Sequence, residues 1–471
     1  MAYKEHRNII THFDPDNVLC DEHCSVKYRD IPGLLEGLHV FFEEYRNHEM
    51  SCIGISLPNG VLQTLTILYL LNEKINFFVA SGQSNGSPKF PPFCDKVLTV
   101  VPGENERLRN ISFSLADNPG YVRGQRAMRS HSGSAYFSSS GTTGAVKYIC
   151  YRSDDLLRNA KKCIDRLGIH TSKRILITVP VNHMFGMGVG LLPALIMGAR
   201  ICLIEKNNVI KFFRYVSEFN PDIVLITPVL AKMILLLNKD IPGHRMYVSA
   251  GEKIDPETYR KFEVRYGLLV NLYGCTELGA IGTSPMDEAS AASRLMGTVF
   301  PLPGVDVVIS DGPYGEIYVR HDAGFEGYTD EDGKTEPPKL NEEGYFRTKD
   351  AGKMDASGGF TISGRVDNCV NRSGFLLSLD EVETKLKSLF GDFGQVVVFE
   401  DSRTDGILPR LIAVCEIPDE ARKSDTFIKS ECKRCMSRYA IPDDFIYVQQ
   451  MPRLHNGKVD RSFIKNNFNS L

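Results

Sequence analysis

The sequence predicts an α/β fold: a large N-terminal domain built on mostly parallel sheets, with a β-rich subdomain, followed by a small α+β C-terminal domain. Three observations support this. Between about 174 and 271 short apolar runs alternate with helical segments; from about 301 to 360 glycines and turn pairs separate brief strands; after 364 the pattern becomes helix, strand, strand, helix.

In the first region, 175–179, 199–204, 223–226, 246–249 and 268–271 are short, continuously apolar runs that suit strands buried on both faces. Between them 190–197, 211–219, 228–237 and 256–266 read as helices. Such alternation implies right-handed crossovers and a sheet covered on both sides, with ligands outside the carboxyl ends of its strands. In the second region Asp311-Gly312-Pro313, Asp332-Gly333, Glu343-Gly344 and Ser357-Gly358-Gly359 punctuate strands such as 316–320. The third region reads as helix 380–390, strands 396–400 and 411–417, and helix 426–438. It is long enough to be an independent unit, so the predicted domains are 1–363 and 364–471.

Composition narrows the partners. In 471 residues Lys plus Arg is 55 and Asp plus Glu is 58, a net charge of -3. That leaves no basic footprint for nucleic acid and no polybasic membrane patch. Apolar residues at 42% and charged residues at 24% exclude a disordered or fibrous chain. The charged start predicts no secretory signal, and the weakly charged stretch 185–199 is too short to span a bilayer. The 12 cysteines then read as reduced, mostly buried thiols of a cytoplasmic protein. Cys432 and Cys435 form a lone CxxC with no second pair in place to complete a metal site.

The chemistry concentrates in Ser138-Ser139-Ser140-Gly141-Thr142-Thr143-Gly144-Ala145-Val146-Lys147. Glycines let backbone N–H groups approach an anion, hydroxyls add donors, and the lysine supplies a point charge. This is the composition of a polyphosphate cradle, although Val146 before the lysine separates it from a Walker A loop. Gly186-Met187-Gly188-Val189-Gly190 lacks the last glycine of a dinucleotide fingerprint, and no G-x-S-x-G elbow is present.

The run from Ser139 to Lys147 resembles the signature of the adenylate-forming enzymes: acyl-CoA synthetases, stand-alone adenylation domains and luciferases. Four further segments resemble that family's motifs in its order. They are Tyr273-Gly274-Cys275-Thr276-Glu277; Thr348-Lys349-Asp350; Gly364-Arg365-Val366-Asp367 with Ser373-Gly374 and Glu381-Val382-Glu383; and Asn456-Gly457-Lys458. The resemblance implies an ATP-dependent carboxylic acid ligase. It would form an acyl-adenylate, release pyrophosphate and pass the acyl group to the thiol of coenzyme A or of a carrier protein's phosphopantetheine. The C-terminal domain would be mobile.

Carried over at matching positions, Thr142, Thr143 and Lys147 would hold the β- and γ-phosphates, and Ser139, Ser140, Gly141 and Gly144 would belong to the same cofactor-binding segment. Ala250, Gly251, Glu252, Tyr273 and Gly274 would frame the adenine, and Thr276 would contact phosphate. Glu277 would bind Mg²⁺, Asp350 the ribose, Arg365 the ribose or phosphates, and Lys458 both the substrate carboxylate and the α-phosphate. His183, Phe185 and Gly186 would border the acyl pocket, and Asp367 would be the hinge. Ser249-Ala250-Gly251-Glu252 is similar to the aryl-acid branch, and no acidic residue stands near His183 to hold an amino group. The expected substrate is a small aromatic or short-to-medium acyl carboxylate. Departures at Val146, Lys349 and Leu454 leave one alternative: a non-catalytic nucleotide-binding or regulatory protein of the same fold.

Overall fold

The computed structural model describes the chain apart from residues 1–8, 46–50, 81–88, 102–111, 122–132, 140–146, 205–207, 242, 311–314, 373–374, 391–394, 402–409, 419–421, 437, 454–458 and 471. It separates into two compact units. One comprises Met1–Asp306 and Val319–Phe346; the other comprises Val307–Tyr318 and Arg347–Leu471.

The alternating region of the first unit folds as its periodicity predicts. Strands Val18–Cys20, Arg200–Leu203, Arg174–Ile177, Ile223–Ile226, Arg245–Ser249 and Gly267–Cys275 lie side by side in that order, all parallel. Ser25–Lys27 closes one edge antiparallel, and Gly279–Thr283 and Thr298–Pro301 extend the other. Helices Val209–Phe219, Pro228–Leu237 and Pro256–Tyr266 cover one face, burying Phe212, Tyr215, Leu230, Ile234, Tyr259 and Phe262 against the strands. Each begins at a side-chain cap: Asn208, Thr227 and Asp255 accept from backbone N–H groups of the first turn.

Helix Ser153–Leu167 and the segment Phe185–Ile196 pack against each other and against strands of the same unit. Here the structure differs from the helix expected at 190–197. Phe185–Leu191 is a π-helix, and the α-helix is only Leu192–Ile196. The glycines explain it. A Cβ on Gly186 would lie 2.2 Å from the Pro180 carbonyl oxygen, and one on Gly190 2.7 Å from Leu225. The glycine-rich stretch is therefore a close-packing device.

A second sheet of the same unit orders Thr335–Glu336, Gly327–Thr329, Lys147–Arg152, Ser134–Ser139, Phe77–Val79, Ile53–Ile55, Lys96–Val101 and Ser112–Asp117. Helices Ile31–Glu43 and Val61–Asn72 belong to this part, and the second is buried along almost its whole length. The sequence reading offered no elements before 175, so this sheet and its helices were not foreseen.

In the second unit Phe346–Met354 and Phe360–Arg365 form an antiparallel pair. Hairpin Cys369–Arg372/Phe375–Ser378, helix Leu379–Phe390, strands Gln395–Asp401, Arg410–Glu416 and Asp444–Val448, and helices Asp425–Cys435 and Arg461–Asn467 follow. Leu386, Val398, Leu411, Ala413, Ile428 and Cys432 centre one core; Phe399, Val414, Ile464 and Phe468 fill the other side of the three-stranded sheet. Among the described residues no helix is long and apolar enough to cross a membrane.

Candidate functional site

Ser140, Gly141, Thr142, Thr143 and Gly144 lie outside the described residues. The strands on either side of them are neighbours: Ser134–Ser139 pairs antiparallel with Lys147–Arg152, and Ser139 stands opposite Lys147. The two ends of the glycine- and hydroxyl-rich loop are thus held side by side at the edge of a buried hairpin.

The same strand organises the acidic turn. Strand Gly267–Cys275 slips register between Tyr273 and Gly274 as it passes Gly279–Thr283. Gly274 is required there, because a Cβ would lie 2.2 Å from the Gly279 carbonyl oxygen. Tyr273, Thr276 and Glu277 are half-buried, and Gly274 is exposed. Three donors fix Glu277. The Tyr151 hydroxyl donates to its carbonyl oxygen at 2.7 Å, the Phe325 N–H to the same oxygen at 2.8 Å, and the Tyr328 hydroxyl to its carboxylate Oε1 at 2.9 Å. Burial pushes the Tyr151 phenol up; burial and then the Glu277 charge do the same to Tyr328, so both keep their protons. Tyr151 stands four residues beyond Lys147 on one strand. The strand that begins at Lys147 therefore holds the turn that presents Glu277.

Asn159 holds the turn from below. Fully buried on helix Ser153–Leu167, its Nδ2 donates to the carbonyls of Leu278 at 2.7 Å and Ala323 at 3.2 Å, while its Oδ1 accepts from the Ala280 N–H at 3.3 Å. The buried imidazole of His321 accepts from the Ala323 N–H at Nδ1 and lies 3.2 Å from the Ala280 carbonyl at Nε2. Those contacts assign the proton to Nε2, and burial holds the imidazole down at about 4, so it is neutral.

Among the described residues no group of three or more His, Cys, Asp or Glu could hold a metal ion. Glu277 offers one hard carboxylate. That donor set fits Mg²⁺ carried in on phosphate oxygens, which completes its shell with few protein ligands.

At the carboxyl edge of the parallel strands, Ile226, Ser249 and Asn271 are level with one another. Ala250 is buried just beyond this edge, Gly251 adopts φ +96°, and Glu252 is exposed. This is where a doubly covered parallel sheet receives ligands. His183 is exposed, Phe185 half-buried and Gly186 buried at the start of the π-helix. Asn59 fixes this entry, accepting from the Val181 N–H at 3.0 Å and donating to the Ile204 carbonyl at 3.1 Å. π-Helical turns occur disproportionately at functional sites.

In the second unit Asp350 and Arg365 face each other across the strand pair, with Nη1 and Oδ1 2.9 Å apart. Asp350 is nearly buried and Arg365 is exposed. The Thr348 hydroxyl donates to the Ile317 carbonyl at 2.7 Å and accepts from the Asp350 N–H at 3.1 Å, which sets the strand's conformation just before the carboxylate. Lys349 between them adopts φ +62°. That left-handed position explains why a glycine belongs there, and Lys349 carries strain of about 1 kcal/mol. Asp367 lies in the 3-10 turn Val366–Asn368. Lys458 is outside the described residues; Arg453 and Val459 on either side of its segment bridge each other. Arg461 nearby grips the buried Glu383 with both nitrogens, at 2.7 and 2.6 Å. Burial raises the Glu383 carboxyl although Arg461 opposes this.

The sequence reading missed Tyr151, Asn159, His321 and Tyr328. Asn159 left a signal: it is a polar residue on the apolar stripe of Leu156, Ala160, Cys163 and Leu167. A buried amide in such a stripe needs partners, and here they are the backbone of the Glu277 turn.

The AMP-binding enzyme family model matches residues 105–329. Sulfoacetate–CoA ligase of Cupriavidus necator is 26% identical over 332 residues, 69% of this chain and 65% of that protein. D-alanine–D-alanyl carrier protein ligase of Lactococcus lactis is 26% identical over 344 residues, 69% of this chain and 68% of that protein. The match spans just under two thirds of the first relative's length. Among solved structures, the o-succinylbenzoate CoA synthetase of Bacillus subtilis in complex with its acyl-adenylate has a TM-score of 0.77 at 17% identity, covering 98% of this chain and 97% of that one. ATP-bound MatB of Rhodopseudomonas palustris has a TM-score of 0.76 at 17% identity, covering 97% of each. These structures share the fold. Residues 105–329, which match the AMP-binding enzyme model, include the strands on either side of residues 140–146 and the turn that presents Glu277.

Proposed function

We propose that the protein is an ATP-dependent carboxylic acid–thiol ligase working through an acyl-adenylate. The observation that supports the reading is the joining of the Lys147 strand to the Glu277 turn through Tyr151, which ties the residue after the glycine- and hydroxyl-rich run to the Glu277 carboxylate. A carboxylate oxygen of the substrate attacks the α-phosphorus of ATP, the bond to the bridging oxygen breaks, and pyrophosphate leaves. Two anions must approach each other for this step, so opposing charge and fixed donors matter most.

Thr142, Thr143 and Lys147 bind the β- and γ-phosphates, with Ser139, Ser140, Gly141 and Gly144 shaping the loop. Ala250, Gly251, Glu252, Tyr273 and Gly274 frame the adenine, and Thr276 contacts phosphate. Glu277 holds Mg²⁺, which neutralises phosphate charge. Asp350 accepts from the ribose hydroxyls, and Arg365 contacts the ribose or the phosphates. Lys458 bridges carboxylate and α-phosphate. In the second half-reaction a thiolate, of coenzyme A or of a carrier protein's phosphopantetheine, attacks the acyl carbonyl and AMP departs. Residues 364–471 act as a mobile domain turning about Asp367 between the two steps.

The substrate is a small carboxylic acid, aromatic or short-to-medium acyl, admitted beside His183, Phe185 and Gly186. No acidic side chain near His183 in the sequence could hold an ammonium group. The reduced cysteines fit a cytoplasmic setting; eleven of the twelve are free thiols in the structure. ATP–pyrophosphate exchange over a panel of aryl, short-chain and amino acids tests the reading. Exchange with an aryl or short acyl acid supports it; ATP binding without exchange on any acid supports a nucleotide-binding protein instead.

A further inference from the structure

Gly327-Tyr328 belongs to none of the segments that suggested the site, yet it touches its centre. Strand Gly327–Thr329 pairs antiparallel with Lys147–Arg152, Tyr328 standing opposite Ile149. On its other side it pairs with Thr335–Glu336, so closely that a Cβ on Gly327 would lie 1.9 Å from the Glu336 carbonyl oxygen. The ring of Tyr328 packs edge-on against Phe325, with centroids 5.0 Å apart. Phe325 in turn is buried, and its N–H holds the Glu277 carbonyl. Backbone and ring are thus both fixed, and the hydroxyl reaches Glu277 Oε1 at 2.9 Å.

We propose that Tyr328 is a positioning residue for Glu277: its hydroxyl ties down Oε1, fixes the plane of the carboxylate and leaves Oε2 to meet the Mg²⁺ of the incoming nucleotide. The proposal rests on Glu277 being the metal carboxylate. A glutamate side chain has three rotatable bonds, and an unheld carboxylate must be ordered each time the cation binds. A charged acceptor makes this hydrogen bond stronger than a neutral one, and the phenol spends it on order in advance. The same contact makes Tyr328 a link between the strand that carries Lys147 and the turn that carries Glu277.

The test uses the full chain and Tyr328→Phe, which keeps the ring, its packing against Phe325 and the strand pairing. ATP binding is followed by calorimetry at increasing Mg²⁺, and again with the metal chelated. The Mg²⁺ concentration for half-maximal tight binding should rise about tenfold, the equivalent of one hydrogen bond to a charged group. Metal-free ATP binding and the melting temperature without ligand should stay close to wild type. Glu277→Gln should shift the same midpoint, and adding Tyr328→Phe to it should shift it little further, because the phenol acts only through that carboxylate. A wild-type Mg²⁺ midpoint in Tyr328→Phe, with Glu277→Gln shifted, overturns the positioning role alone. Equal weakening of ATP with and without metal assigns Tyr328 a general structural role and also overturns it. An unshifted midpoint in Glu277→Gln overturns the metal assignment beneath both.

Discussion

Replacing Asn159 by leucine should loosen the acidic turn from behind without touching any ligand. The side chain is 1% exposed and makes three hydrogen bonds to backbone: two donated, to Leu278 and Ala323, and one accepted, from Ala280. Leucine has nearly the same volume, so little space opens for water, and two carbonyls and one N–H lose this partner inside the protein. At about 1 kcal/mol net for each bond, the loss is roughly 3 kcal/mol, with desolvated groups adding to it. For a unit this large, that lowers the melting temperature by about 6 °C. Thermal unfolding followed by circular dichroism at fixed pH reads the stability, and ATP–pyrophosphate exchange reads the turn. Exchange should fall about tenfold or more, and the deficit should be worst at limiting Mg²⁺, because Glu277 is two residues before Gly279, which packs against Asn159. A melting temperature within a degree of wild type, or reduced stability with unaltered exchange, would refute the claim that Asn159 supports the site.

Lys458→Ala should cut adenylate formation by about 10²–10³, as expected for one lost preorganised donor, yet spare thioester formation from supplied acyl-adenylate; equal loss in both half-reactions would remove Lys458 from the first. Asp367→Pro should keep pyrophosphate exchange but lose most thioester formation, because the ring fixes φ near -65° and opposes a hinge; undiminished thioester formation would move the hinge elsewhere. His321 should make the fold acid-sensitive. Its folded value of about 4 lies below the ordinary 6.5, so the unfolded chain takes up the proton first and stability falls as pH drops from 6.5 towards 4. The loss is at most ~3 kcal/mol. In His321→Gln that part of the slope should vanish, and parallel pH profiles for wild type and variant would exclude the imidazole as its source.

The parallel core was legible because its strands and helices each leave a local trace. Helices Pro228–Leu237 and Pro256–Tyr266 begin and end where the proline and apolar spacing predict. The π-helix was not legible, since it depends on Gly186 and Gly190 approaching Pro180 and Leu225, contacts that no window of sequence contains. The site divided in the same way. Glu277 and Asp350 could be named in advance only because their segments resemble the family's motifs. The groups that hold the Glu277 turn in place, Tyr151, Asn159 and Tyr328, act through backbone carbonyls and a side-chain oxygen brought close by folding. Only the polar Asn159 in an apolar stripe betrayed such a role. Lys349 is the reverse case: a substitution that reads as a departure in sequence is, in structure, a left-handed residue bearing a modest local strain.

The most direct measurement follows oxygen. A carboxylic acid that supports exchange is prepared with ¹⁸O in its carboxylate and turned over to thioester in the presence of ATP and the thiol acceptor. Mass spectrometry of the products then reports which phosphorus was attacked. Reaction through an acyl-adenylate predicts one ¹⁸O in the phosphate of AMP and none in pyrophosphate. Label appearing in orthophosphate alongside ADP, or AMP formed without label, would contradict the account.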